Sequence, residues 1–478
     1  MFLLLHSINH ASFNLRTWLT RSATLLFFYS SLVGCATVPD ADVVIDNAHA
    51  NSDGNPRVVG AKGPLTAKQS KALFERLGLS AENSDLFKRH LAVEQEIAES
   101  PLVAGNSTRL LRDGEQTFDA IFDAIRAAKH HINMEYYILE NVEHKGTKLV
   151  DLLVAKRQEG VAINILYDSF GSISTPPEFF DRLRKAGAKV LEFNPVNPLE
   201  RRRIIKSPND RDHRKIFVID GHTAVVGGIN LSVTYQSRPF DSATGKEKRE
   251  HWRDTDMEVR GPVVAELQKL FFDQWHKHMG EKIDDKGYFP PLKPNGSEVV
   301  RVIGSAPDHT VSRYYVTLLS AIRNAEKTIW ITNSYFVPTK GMKRDLMDAA
   351  RHGVDVRLLV PGKSDVQATL AAQRSHYREL LEAGVKISES ENAVLHAKTV
   401  VIDGVWSVVG SSNLDHRSVL YNDEVDVIVL GEVTGKEMER MFQEDSAKAK
   451  PIELAEWKRR PVLQRINEFF SRIFQNIM

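Results

Sequence analysis

The chain repeats itself, and that repeat confines it to a duplicated architecture. Ala124-Ile125-Arg126-x-Ala128 returns as Ala321-Ile322-Arg323-x-Ala325, and each copy runs into an apolar, strand-like segment, Met134 to Leu139 and Ile329 to Val337. Gly160-Val161-x-Ile163-x-Ile165-Leu166 then pairs with Gly353-Val354-x-Val356-x-Leu358-Leu359, and Leu183-x3-Gly187-x-Lys189-Val190 with Leu380-x3-Gly384-x-Lys386-Ile387. Each half reads helix, strand, helix, strand, then a further strand pair. The fold class this predicts is α/β, with two pseudo-symmetric domains, each a mixed β-sheet flanked by helices. The first half carries two extra segments, Asn194 to Asp212 and Gln236 to Lys248, which read as loops.

Each half also carries His-x-Lys-x4-Asp: His213, Lys215 and Asp220, then His396, Lys398 and Asp403. Strand side chains repeat with a period of two, so the imidazole and ammonium share one face. An imidazole so placed can attack phosphorus or deliver a proton while the lysine neutralises a phosphate oxygen. A Gly/Ser turn follows each motif, Gly227-Gly228-Ile229-Asn230 and Gly410-Ser411-Ser412-Asn413, and each Asn stands 17 residues after its His. Such turns permit close backbone approach to an anion, and the asparagines and serines can donate to phosphate oxygens. Downstream, Asp254-x-Asp256 and Glu424-x-Asp426 give each half a carboxylate to orient its own histidine; Asp254 and Glu424 are the candidates, with a solvated surface acid as the alternative. Asp220 and Asp403 precede glycines and are expected to shape hairpin turns. Met134-Glu135-Tyr136-Tyr137 reads as core.

The chain has 63 basic and 62 acidic residues, a net charge of +1, so no global positive field concentrates nucleic acid, and any anion binding is local. Before the repeats, Arg16 and Arg21 precede an apolar run, Ala23 to Val33, that ends in Leu32-Val33-Gly34-Cys35. The run is too short to span a bilayer and reads as an export signal. Its end resembles a bacterial lipobox, which implies a lipidated Cys35, the only cysteine in the chain. The organisation expected is a signal peptide with lipobox over 1–35, a flexible tether over 36–64, a helical lead-in over 65–105, catalytic domains over 106–292 and 293–450, and an amphipathic C-terminal helix over 451–478. In that last segment Ile466, Phe469, Phe470, Ile473 and Ile477 stand at helical spacing, suited either to a lipid surface or to packing on the domain.

The paired motifs with their Gly-rich turns resemble the phospholipase D superfamily over roughly Asn106 to Leu430. Arg-Asp-His-Arg-Lys, Gly-Gly-Ile-Asn-Leu-Ser, Trp252-Arg253-Asp254-Thr255, Gly410-Ser-Ser-Asn-Leu-Asp-His-Arg-Ser and Glu135-Tyr-Tyr-Ile resemble its bacterial cardiolipin synthase branch. The resemblance implies two phospholipase D-type domains with the active site at their interface, and transfer through a phosphohistidine without a metal or other cofactor. His213 would be the nucleophile and His396 the acid/base, with Lys215, Lys398, Asn230 and Asn413 on the phosphoryl oxygens. It further implies phosphatidylglycerol as donor and acceptor, with glycerol leaving. Arg201, Arg202, Arg203, Lys206 and Arg211 form a basic run suited to substrate phosphate or to a solvated loop. Hydrolysis to phosphatidic acid shares every residue named and stays open, as does the choice of outer or inner membrane for a lipid-anchored protein facing the periplasm. A nuclease and a non-enzymatic lipid binder are disfavoured, the first by charge and the second by two complete motifs.

Overall fold

The strands of each half alternate between two hydrophobic cores, and this alternation sets the architecture. The computed structural model describes residues 40–52, 56–77, 85–197, 207–236, 251–284, 287–291, 293–309, 312–364 and 366–473. The signal-like segment with Cys35, the basic residues Arg201, Arg202, Arg203 and Lys206, and most of the Gln236 to Lys248 insertion lie outside the described residues. In the first half the strands are β1 (Leu102–Arg112), β2 (His131–Tyr136), β3 (Ala162–Asp168), β4 (Lys189–Phe193), β5 (Lys215–Ile219), β6 (Thr223–Gly227) and β7 (Thr255–Arg260). The second half has β8 (Glu298–Ser305), β9 (Thr328–Asn333), β10 (Asp355–Pro361), β11 (Lys386–Ser390), β12 (Lys398–Ile402), β13 (Trp406–Gly410) and β14 (Asn422–Leu430).

The two sheets have one topology. The first runs β4-β3-β2-β5-β6-β7-β1, with β2, β3 and β4 parallel and the remaining pairs antiparallel. The second runs β11-β10-β9-β12-β13-β14-β8 with the same pattern. The start of β1 also pairs antiparallel with β8, which joins the two sheets. Phe217 and Ile219 face a core with the first half's helices, and Val400 and Ile402 face the second half's. Their neighbours Ile216, Val218 and Val401 meet in a third core built by both halves, with Val226, Met257, Val409 and Val427. Strands buried on both faces explain the nearly unbroken apolar runs after each motif. Each such side chain contributes about 1.5–3 kcal/mol by burial.

The flexible tether expected over 36–64 is corrected by the structure. Ala41–Asn51 is a helix capped by the Asp40 side chain, and Ala41, Ile45 and Ala48 enter the second half's core on one helical face. Asp42 pairs with Arg344 at 2.9 Å and also with Arg323. A short strand, Val58–Gly60, pairs with β1. The polar composition hid three well-spaced small or branched residues. Two further helices, Ala67–Arg76 and Asp85–Ala98, follow. The second of these is held to the second half by a buried Glu94–Arg301 pair at 2.8 Å and by Glu94 accepting from the Trp406 indole at 3.0 Å. Among the described residues, no helix is long and apolar enough to cross a membrane.

Candidate active site

Two short pairings between the halves build the site. Arg211–Asp212, just before His213, pairs in parallel with Asn422–Asp423, just before Glu424. Trp252–Arg253, just before Asp254, pairs in the same way with Val394–Leu395, just before His396. The backbone then continues the ladder: His213 N–H donates to Asp423 C=O at 2.9 Å, and His396 N–H to Arg253 C=O at 2.8 Å. Each histidine is thus stitched beside the carboxylate of the opposite half.

His213 Nδ1 lies 2.9 and 3.1 Å from the two Glu424 oxygens, and His396 Nδ1 lies 2.7 Å from Asp254 Oδ2. The expectation that each carboxylate serves its own half is therefore corrected: the pairs are crossed. Both carboxylates are fully buried, so a solvated role is excluded as well. Glu424 is further fixed by Ser411 Oγ at 2.5 Å, Ser418 Oγ at 2.7 Å and Asn422 Nδ2 at 3.1 Å. Burial opposes its charge, but His213 and Lys215 outweigh burial and hold the carboxyl below its usual range. Burial pushes His213 down to about 4, against the pull of Glu424. Burial, and then Lys398, lower His396 as well, against Asp254. An imidazole whose Nδ1–H is given to a carboxylate presents Nε2 for chemistry, as a nucleophile when neutral and as a proton donor when the carboxylate stabilises the imidazolium.

The lysines complete one cluster. Lys215 Nζ donates to His213 C=O at 2.5 Å and lies 5.4 Å from the Tyr137 ring centroid, and burial pushes it down to about 7. Lys398 Nζ lies 2.8 Å from His396 Nδ1. Lys398 acts by charge on His213, and Lys215 on His396, so both motifs share one field. The Asn230 side-chain oxygen accepts from Ile138 N–H at 3.1 Å, and that of Asn413 accepts from Ser334 Oγ at 2.7 Å. These bonds pin each amide to the loop that leaves the second strand of its half.

The turns do something other than face an anion with their glycines and serines. A Cβ on Gly228 would lie 2.2 Å from Asp254 Oδ1, and one on Gly410 1.9 Å from Asp426 Oδ1. The glycines make room for carboxylates, and a Cβ on Gly227 would likewise lie 2.4 Å from Asp256 Oδ1. Ser411 and Ser412 spend their hydroxyls on Glu424 and Asp426, each at 2.5 Å, which corrects their expected donation to phosphate. Burial raises Asp256 to about 8 and Asp426 well above its usual value, so these two inner acids are neutral hydrogen-bond partners.

Asp220 and Asp403 sit away from the reacting groups. Both have positive φ, 50° and 52°, and so do the glycines that follow, the backbone of a tight hairpin. Each carboxylate also clamps a preceding loop: Asp220 accepts from Lys129, His130 and His131 at 2.8–2.9 Å, and Asp403 from Glu326, Lys327 and Thr328 at 2.7–2.8 Å. Arg211, expected among the phosphate-binding cations, is instead buried: it lies 3.5 Å from Asp168, stacks over Phe170 and donates to the Asn194 carbonyl at 3.3 Å. Its charge is spent inside the first half.

Several aromatic residues at the site escaped sequence reasoning. Tyr137, grouped with the core, packs edge-on to His213 at 5.1 Å, while its neighbours Met134, Glu135 and Tyr136 are buried. Tyr235 OH lies 3.0 Å from His396 Nδ1, and the Trp252 ring 5.2 Å from the His396 ring. Trp252 was visible as the residue before Arg253-Asp254; nothing local marked Tyr235, which stands at the edge of a polar insertion.

The chain matches the family model described as cardiolipin synthase, PLD-like domain, twice, over residues 121–251 and 318–446. It is 36% identical over 412 residues to the cardiolipin synthase of Geobacillus thermodenitrificans (strain NG80-2), a match that covers 86% of this chain and 79% of the relative. Cardiolipin synthase 2 of Bacillus anthracis is 35% identical over 378 residues, covering 78% of this chain and 70% of the relative. Among solved structures, phosphatidylserine synthase of Haemophilus influenzae Rd KW20 has the same fold, with a TM-score of 0.60 at 14% identity over 80% of this chain and 99% of that one. With two complete motifs meeting in one site, the chain belongs to the cardiolipin synthase family of the phospholipase D superfamily and is an enzyme of that class.

Proposed function

We propose that the enzyme transfers a phosphatidyl group from one phosphatidylglycerol to the hydroxyl of another, forming cardiolipin and releasing glycerol. The observation that carries this is the crossed pair of histidines, each with Nδ1 bound to a buried carboxylate of the opposite half. His213 Nε2 attacks the donor phosphorus, the bond from phosphorus to the glycerol oxygen breaks, and His396, as imidazolium stabilised by Asp254, gives that oxygen its proton. The second lipid's hydroxyl then returns a proton to His396 and attacks phosphorus, and the phosphorus–nitrogen bond breaks. Lys215 and Lys398 offset the charge on the phosphoryl oxygens, with the asparagine amides beside them.

The relatives named as cardiolipin synthases support the choice of substrate. The Leu32-Val33-Gly34-Cys35 segment supports a lipid-anchored form in the bacterial cell envelope, facing the periplasm. Purified enzyme given phosphatidylglycerol vesicles should yield cardiolipin and free glycerol in equal amounts. Phosphatidic acid as the sole lipid product would overturn transfer in favour of hydrolysis.

A further inference from the structure

The C-terminal helix, Val462–Ile473, is mounted inside out. Gln464, Glu468 and Arg472 face the protein. Glu468 is only 3% exposed and is gripped by Arg460, with Nε 3.0 Å from both carboxylate oxygens and Nη2 2.6 Å from one, while Gln464 adds a bond at 3.0 Å. Arg472 reaches Glu379 at 2.8 Å, and the helix packs on the helix Gln367–Ser375. Its apolar residues face out: Leu463 is 80% exposed and Phe469 62%, with Val462, Ile466, Phe470 and Ile473 beside them. A surface helix in water turns the other way, because apolar area left in water costs free energy and a buried charge must be paired. Here the ion pairs fix the orientation, so the outward apolar face is built in.

We infer that this face is a docking surface for an anionic phospholipid bilayer, with Leu463, Ile466, Phe469 and Phe470 entering the boundary between headgroups and acyl chains. A contiguous exposed patch of large apolar side chains marks an interaction site. Its occupant follows from the rim. Arg459 and Arg465 are exposed beside the apolar face. Cations beside aromatic and aliphatic side chains match phosphate headgroups above an acyl layer. A second copy of the same face would bring a like-charged rim. The helix would hold the catalytic halves at the surface where a lipid substrate resides, and the inference stands independently of which lipid reaction the site performs.

The test places a reporter on the face itself, in the full chain, so that an N-terminal anchor cannot mimic the result. Phe470→Cys, in a Cys35→Ser background, is labelled with an environment-sensitive fluorophore. Vesicles of phosphatidylglycerol and phosphatidylcholine should shift its emission to the blue, and lipids brominated in the acyl chains should quench it. Pure phosphatidylcholine should respond roughly tenfold less. Adding Phe469→Asp, with the melting curve unchanged, should remove the response. No shift from protein that nonetheless floats with the anionic vesicles would overturn the proposal. So would an emission already blue without lipid, which would assign the face to a second copy or to another segment of this chain.

Discussion

His213 and Glu424, although they belong to opposite halves of the chain, form a doubly contacted pair, with Nδ1 2.9 and 3.1 Å from the two carboxylate oxygens. The pseudo-symmetric pair is His396 with Asp254, at 2.7 Å. Neither half, taken alone, contains a correctly held histidine.

Glu424→Gln and Asp254→Asn should each lower kcat by about 10³–10⁴-fold, the scale seen when a histidine loses the carboxylate that fixes its tautomer. Substrate binding should change little, because neither group faces phosphate. Each substitution should also raise the partner histidine's sensitivity to its own replacement no further: Glu424→Gln with His213→Ala should be no slower than His213→Ala alone. Steady-state kinetics on the three variants decides this.

Lys215 gives the enzyme an alkaline limit. Burial, aided by Lys398, lowers its ammonium to about 7 against the opposing pull of Glu424. A lysine is charged below its pKa, so the free enzyme holds phosphate well below that value and loses the charge as pH rises through it. The kcat/KM profile should fall on the alkaline side with a midpoint near that value, while the kcat limb moves upward because bound phosphate stabilises the ammonium. A kcat/KM profile flat to about pH 9 would remove Lys215 from phosphate binding.

Asp256 links the turn after β6 to stability. Its carboxyl titrates at about 8 in the folded protein because burial disfavours the charge, against about 4 when unfolded. The folded state therefore binds the extra proton between those values. Stability is greatest at the acidic end of that window and is lost as pH rises through it. Asp256→Asn should flatten this part of the Tm-against-pH curve while keeping the bond from Ile229 N–H, now at 3.0 Å.

Asp220→Ala should cost about 2–3 kcal/mol of stability, because it frees three backbone N–H donors of the loop before β2. The variant that still folds should retain phosphoryl transfer, since the carboxylate touches none of the reacting groups. Urea unfolding measured beside specific activity separates the two effects.

The duplicated plan was legible because period-two apolar runs and matched spacings are local signals, and the two His-Lys pairs came with them. The crossing was not. It arises from two-residue pairings between segments far apart in the chain, and nothing in Trp252-Arg253 or Asn422-Asp423 says which half each will join. Arg211 misled for the same reason, since its partner Asp168 lies at the end of a distant strand. The helix Ala41–Asn51 was hidden by its Asp and Asn content, although Ala41, Ile45 and Ala48 carried the face that packs. The composite site follows from tertiary pairing, which composition and period do not encode.

His213 is proposed to carry the phosphatidyl group while His396 manages protons. Incubating His396→Ala with phosphatidylglycerol labelled in its acyl chains, followed by mass spectrometry of proteolytic peptides, tests it most directly. Phosphorus and label should be found on the peptide that contains His213, and on none from His213→Ala. Label on His396 in the His213→Ala protein, with His213 unmodified in the other, would reverse the assignment and contradict the account.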